Sequence, residues 1–91
     1  MHSTAIRDKI KAGAKIVDVR TPGEFADESY PGAINVPLNQ LAAQVEKLGP
    51  KEGPIVLYCA SGARSAQAAR LLKQAGFTDV VNAGGLDDMP R

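Results

Sequence analysis

The sequence predicts an α/β domain in which a parallel sheet carries helices on both faces. Three observations predict it. Short apolar runs rich in β-branched residues recur along the chain, at Ile16–Val19, Ala33–Val36, Ile55–Tyr58 and Val80-Val81. Segments with helical start and stop signals lie between them. Strands that alternate with helices pair in parallel, because each helix carries the chain back to the same end of the sheet. The third observation is length: 91 residues suit one small domain, residues 1–91, and not two.

Each element follows from its own residues. Ser3 or Thr4 offers a cap for a first helix over Ala5–Ala12, with Ile6 and Ile10 on one face and Gly13 as its stop. Lys15–Arg20 reads as a buried strand. Thr21-Pro22-Gly23-Glu24 is a capping box with Pro at the first helical position, opening a short helix through Asp27. Tyr30-Pro31-Gly32 is a turn, and Ala33–Val36 a short strand stopped by Pro37. Asn39 is placed to cap a helix that runs to Leu48 with Leu41, Val45 and Leu48 inward. Gly49-Pro50 and Gly53-Pro54 bracket a charged turn. Ile55–Tyr58 is a strand, Ser65–Ala75 a helix ended by Gly76, Val80-Val81 a last short strand and Gly84-Gly85 a turn.

Composition excludes several classes of function. Eleven basic and 10 acidic residues leave a net charge of +1, without the basic excess of a nucleic-acid or membrane-surface binder. No apolar run approaches the roughly 18 residues of a membrane span. The one cysteine, Cys59, rules out an internal disulfide, and with His2 the sole histidine a zinc site is not expected. No metal or organic cofactor is expected. MHSTAIRDKIKAGA lacks the apolar core of a signal peptide, so the chain as given reads as cytoplasmic. A periplasmic protein with its leader removed would read the same.

Cys59 follows the Ile55–Tyr58 strand, and ligands in such sheets sit beyond the carboxyl ends of the strands. The ordinary alternative is a buried structural thiol. Three features favour a nucleophile. Ala60, Ser61, Gly62 and Ala63 are small, so the loop can curl and aim successive N–H groups at one point. The helix opening near Ser65 turns its positive end to the same point. Arg64 adds a full charge. All three favour the thiolate. Asp18 and Arg20 are expected to pair structurally beside this edge, Glu24 to serve as the capping acid, Asn35 to bond loop backbone, and Asn82 through Gly85 to shape a rim.

At this point the sequence resembles the rhodanese family of sulfurtransferases. Val17–Phe25 matches the family's D-V-R followed by P-x-E-[FY], and YPGAINVP at 30–37 its I-P-G-A-x-N-[IV]-P stretch. YCASGARS at 58–65 matches the loop after a strand, and NAGGL at 82–86 the closing glycine turn. The resemblance implies a three-layer α/β/α rhodanese-like fold with a four- to five-stranded parallel sheet, and Cys59 as the residue that carries a persulfide. It further implies that the amides of Ala60, Ser61, Gly62, Ala63 and Ser65 hold the anionic sulfur while Arg64 binds the donor's anionic group. Partners would be a small-molecule sulfur donor, a thiol or cyanide acceptor or a protein that accepts sulfur, with a monomer or weak homodimer as the assembly. Cell-cycle phosphatases share the fold with five residues between Cys and Arg; here there are four, which suits sulfur rather than phosphate. Ser29-Tyr30 stands where the family commonly has His-Ile. The short ending after Gly85 resembles small phage-shock-type rhodaneses. A binding module that docks a partner or carries persulfide without turnover is the reading from another class.

Overall fold

A computed structural model describes residues 4–90. Four strands form one all-parallel sheet in the order β2-β1-β3-β4: β1 (Lys15–Asp18), β2 (Ile34–Asn35), β3 (Ile55–Cys59) and β4 (Val80–Gly85). The helices are α1 (Thr4–Lys11), α2 (Pro22–Asp27) and α3 (Ala63–Gln74). The sheet stands at the lower end of the expected strand count.

Alternation along the strands sorts the core into two layers. Val17, Val19, Ile55, Leu57 and Cys59 face Leu41, Leu48, Ala68 and Leu72 on one side. Ile16, Val56 and Tyr58 face Met89 and the partly buried Ile6 and Ile10 of α1 on the other. A fully buried Leu or Ile contributes about 1.5–3 kcal/mol. The first layer holds five such side chains, Leu41, Leu48, Ile55, Leu57 and Leu72, whereas α1 buries no residue fully. The α3 face therefore carries most of the apolar stabilisation, and it is the face on which the loop after β3 is anchored.

Several boundaries differ from expectation, each for a local reason. Thr4 lies inside α1 rather than capping it, and Ser3 lies outside the described residues. The segment after Pro37 is not one α-helix capped by Asn39 but two 3₁₀ segments, Leu38–Gln40 and Ala42–Leu48, with non-helical backbone at Gln44. Leu38 N–H is already spent on Val19 C=O, which ties the start of the segment to the β1 edge and leaves Asn39 in mid-turn. Leu41 and Leu48 are nevertheless inward, as the periodicity required. The helix α3 begins at Ala63, before Ser65, because Gly62 at φ 103° turns the chain straight into it.

The largest difference is at the glycines. Gly84-Gly85 is not a simple turn; β4 runs through both. Leu57 pairs with Asn82 and Cys59 with Gly85, so two steps on β3 match three on β4. Gly84, at φ 98°, absorbs the extra residue as a bulge. A side chain on Gly85 would stand 2.3 Å from the Ala60 carbonyl oxygen, so only glycine lets β4 pass this close to the loop after β3.

In this strand order the chain leaves β1 for β2 on one side and returns as β3 on the other. The loops after β1 and β3 diverge there, which opens a crevice at the carboxyl edge. Cys59 is the last residue of β3 and faces that crevice's loops.

Candidate active site

The sulfur of Cys59 is a convergence point. Gly62 N–H donates to Sγ at 3.0 Å, Ser65 N–H at 3.4 Å, and Ser65 Oγ lies 3.5 Å away. The two amides converge because α3 opens directly from the loop, so the unsatisfied N–H groups of its first turn point back at the strand end. Cys59 is fully buried, while Ala60, Ser61 and Ala63 are exposed. These three residues carry only small side chains, so little bulk covers the loop over the sulfur.

Burial pushes the Cys59 thiol up. Hydrogen bonding from the Ser65 hydroxyl, when its proton faces the sulfur, and from the N–H groups of Ser65, Gly62 and Ser61 outweighs it, so the thiol lies below its ordinary range. Of the sequence-predicted set, the structure thus brings Gly62, Ser65 and Ser61 to the sulfur. Ala60 contributes by size and by its carbonyl against Gly85. Ala63 starts the helix.

Arg64 sits in the first turn of α3, but its guanidinium turns to α2. Nη1 donates to Glu24 Oε1 at 2.8 Å and Nη2 to Glu24 Oε2 at 3.0 Å. Glu24 keeps its expected capping box as well: Thr21 N–H donates to Oε1 at 2.9 Å, and Thr21 Oγ1 accepts from Glu24 N–H. The Arg64 pairing, then the Thr21 amide, hold the Glu24 carboxyl down at about 2. Arg64 also borders an open groove of about 420 Å³ lined by Arg20 and Thr21 after β1, Leu38 and Asn39, and Gln67 and Leu71 of α3.

Asp18 and Arg20 pair as expected. Arg20 Nε and Nη2 donate to the Asp18 carboxylate, Nη2 also reaches Glu28 C=O, and the guanidinium carbon lies 5.6 Å from the centre of the Tyr58 ring. Asn35 Nδ2 donates to the Asp18 and Arg20 carbonyls, fixing the turn after β1.

Sequence reasoning gave Glu24 one role where it has two, because its partner lies 40 residues away. It also placed Asn82 on a rim without a function. Asn82 Oδ1 accepts from Ser65 Oγ at 2.5 Å and from Gly84 N–H at 2.9 Å, and Nδ2 donates to Gly62 C=O at 3.3 Å. The available signal was a polar residue between Val81 and Ala83 in an otherwise apolar strand. Among the described residues no three His, Cys, Asp or Glu side chains gather as a metal site needs, and no helix is long and apolar enough to cross a membrane.

With this geometry in hand, comparison with known proteins is consistent across sequence and structure. Residues 3–89 match the family model described as the rhodanese-like domain. The chain is 39% identical over 74 residues to thiosulfate sulfurtransferase PspE of Escherichia coli, covering 80% of this chain and 71% of that one. It is 40% identical over 70 residues to a sulfurtransferase of Allochromatium vinosum, covering 77% and 64%. It thus spans about two thirds of the length of these curated relatives. Among solved structures it superposes on a rhodanese with anions from E. coli with a TM-score of 0.80 at 37% identity, covering 86% of this chain and 95% of the other. The human single-domain sulfurtransferase TSTD1 gives a TM-score of 0.79 at 28% identity, covering 93% and 88%.

Proposed function

The chain belongs to the rhodanese-like domain family, and from that premise we propose that it is a sulfurtransferase moving sulfane sulfur through a Cys59 persulfide, with thiosulfate as a donor. The observation that carries this reading is the Cys59 sulfur held by the Gly62 and Ser65 amides at the head of α3. That cradle stabilises negative charge on sulfur in both the thiolate and the persulfide.

The Cys59 thiolate attacks the outer sulfur of thiosulfate. The Sγ–S bond forms, the donor's S–S bond breaks, and sulfite departs with the bonding pair. Cyanide or an acceptor thiolate then attacks the terminal sulfur, and Cys59 leaves as thiolate. No step requires a metal or organic cofactor. Arg64 pairs with Glu24 through Nη1 and Nη2 in the resting chain, and the donor's sulfonate competes with that carboxylate for the guanidinium. A protein persulfide or protein acceptor would use the same exposed loop.

Intact mass after incubation with thiosulfate tests the proposal. A gain of one sulfur atom, absent in Cys59→Ser, is the expected result, with thiocyanate formed from cyanide by the wild type alone. A small aryl phosphate assayed in parallel is expected to be inert. Cys59-dependent phosphate release with no sulfur gain would overturn the assignment.

A further inference from the structure

The Ser65 hydroxyl sits 3.5 Å from the nucleophilic sulfur, yet its proton has competing destinations. Around Ser65 Oγ lie Asn82 Oδ1 at 2.5 Å, Gly62 C=O at 3.2 Å and Gly84 C=O at 3.4 Å. All three are acceptors, and a hydroxyl has a single proton to give.

The orientation of the Asn82 amide decides where that proton goes. Gly84 N–H can only donate, so the atom facing it at 2.9 Å must be the Asn82 oxygen. The amide nitrogen then faces Gly62 C=O, which can only accept. With Oδ1 fixed as an acceptor, the short contact to Ser65 requires the serine to be the donor. Toward Cys59 the serine therefore presents lone pairs. A neutral S–H can donate to them, whereas a thiolate gains nothing until the hydroxyl turns away from Asn82.

We infer that Asn82 is a positioning residue that draws the Ser65 hydroxyl proton away from Cys59 and thereby restrains the nucleophile. The Gly62 and Ser65 amides hold the sulfur in every state, while in the parent the hydroxyl stays turned to the carboxamide oxygen. The bulge at Gly84 is what makes this arrangement possible, because it brings both the Asn82 side chain and the Gly84 amide to the head of α3. Asn82 does not touch the transferred sulfur. The inference rests on the sulfurtransferase reading for its consequence in turnover, but not for its test.

The charged groups at the loop's end of these elements are Arg64 at the start of α3, Glu24 on α2, Asp18 and Arg20 at the end of β1, and Asp88, which accepts from Gly85 N–H; Arg70 and Lys73 lie further along α3, Asp27 at the end of α2 and Lys15 at the start of β1. None of them changes in the variants below.

The test is the rate of Cys59 alkylation by iodoacetamide as a function of pH in the full chain, a readout that needs no sulfur donor. Asn82→Ala is expected to move the midpoint to lower pH. On the acid side the rate should rise about two- to fourfold, from one freed hydrogen bond partly offset by the weaker nucleophilicity of a more acidic thiolate. The plateau rate at high pH should fall. A loosened loop would do the opposite, because losing the backbone amides raises the midpoint. Ser65→Ala should leave the midpoint of the parent where it is or lower it, yet raise it in the Asn82→Ala background. That non-additivity is the signature of one proton shared between two acceptors. An unchanged or raised midpoint in Asn82→Ala, or an equal upward shift on Ser65→Ala in both backgrounds, overturns the inference. If Asn82→Ala does not fold, Ser65→Ala alone still decides: an upward shift in the parent means the hydroxyl already serves the sulfur. Failure of the thiosulfate mass gain with the expected alkylation profile would instead indict the proposed function and leave the proton routing standing.

Discussion

Two arginine–carboxylate pairs stand at the carboxyl edge of the sheet, and they differ in the solvent they see. Asp18 is fully buried and Arg20 is 6% exposed. The Glu24 and Arg64 side chains are 35% and 37% exposed. In the buried pair Arg20 spends its donors inward, on the Asp18 carboxylate and the Glu28 carbonyl, and lies over the Tyr58 ring. In the exposed pair Arg64 meets one carboxylate and keeps an edge toward an open groove. On the proposed function, the same pairing chemistry does two jobs. Where water is excluded, an unpaired charge is prohibitive and the pair acts as a structural clamp. Where water has access, the pair is weak and can exchange one anion for another.

The first way to break the comparison is to remove a carboxylate from the buried pair. Asp18→Ala leaves Arg20 charged and without its main partner, and also strips the acceptor from the Arg20 amide. A loss of about 3–5 kcal/mol is expected, as for other broken buried pairs. For a domain of this size that lowers the melting temperature by more than roughly 12 °C. Urea or thermal denaturation measures it. A shift of only a few degrees would mean that the buried pair is no more structural than the exposed one.

Much of this fold is legible in the sequence because its signals are local. Thr21, Pro22 and Glu24 write the start of α2, and the unbroken apolar run Ile55–Tyr58 writes the centre of the sheet. The Asp18–Arg20 pair was legible for the same reason, since two residues on one strand edge are neighbours. Cys59 with its small-residue loop also lies within one segment. What was not legible depends on distant approach. Glu24 acquires Arg64 across 40 residues, and Ser65 acquires Asn82 across 17. The bulge at Gly84 exists to let β4 pass Ala60, a constraint no reading of NAGG contains. The expected α-helix from Asn39 failed because a tertiary bond from Leu38 to Val19 overrode helical propensity.

The exposed pair is expected to show the opposite pattern, with function lost and stability kept. Arg64→Ala should lower kcat/KM for thiosulfate about tenfold or more, the worth of a charge-assisted hydrogen bond to the donor. With the hydropersulfide of an uncharged thiol as donor the loss should be smaller, because no sulfonate needs the guanidinium. The melting temperature should stay close to that of the parent, as for other exposed ion pairs. Equal losses with both donors would mean that Arg64 acts on loop shape rather than on the donor's charge.

The smallest expected effect sharpens the comparison most, because it alters one charge and little else. Glu24→Gln keeps an acceptor for the Thr21 amide, since Gln serves the capping box as Glu does. It removes the anion that competes with the donor for Arg64, so the KM for thiosulfate should fall by about two- to threefold, by the logic of a weak, exchangeable surface pair. Its stability effect has a defined pH window. The Glu24 carboxyl titrates at about 2 in the folded chain, held down first by Arg64 and then by the Thr21 amide. The value is lower than the ordinary 4.5 of an unfolded chain. A depressed carboxyl stabilises the fold above its ordinary value and loses that contribution as pH falls through the folded one. The parent should therefore melt slightly above Glu24→Gln at neutral pH, and the difference should shrink below pH 4.5 and vanish near 2. Added salt should shrink it too, because the pair is half-exposed. A difference that is constant with pH and salt would show that the substitution disturbs the start of α2 rather than the ion pair. A KM that stays fixed or rises would show that Glu24 and the donor do not compete for the same guanidinium.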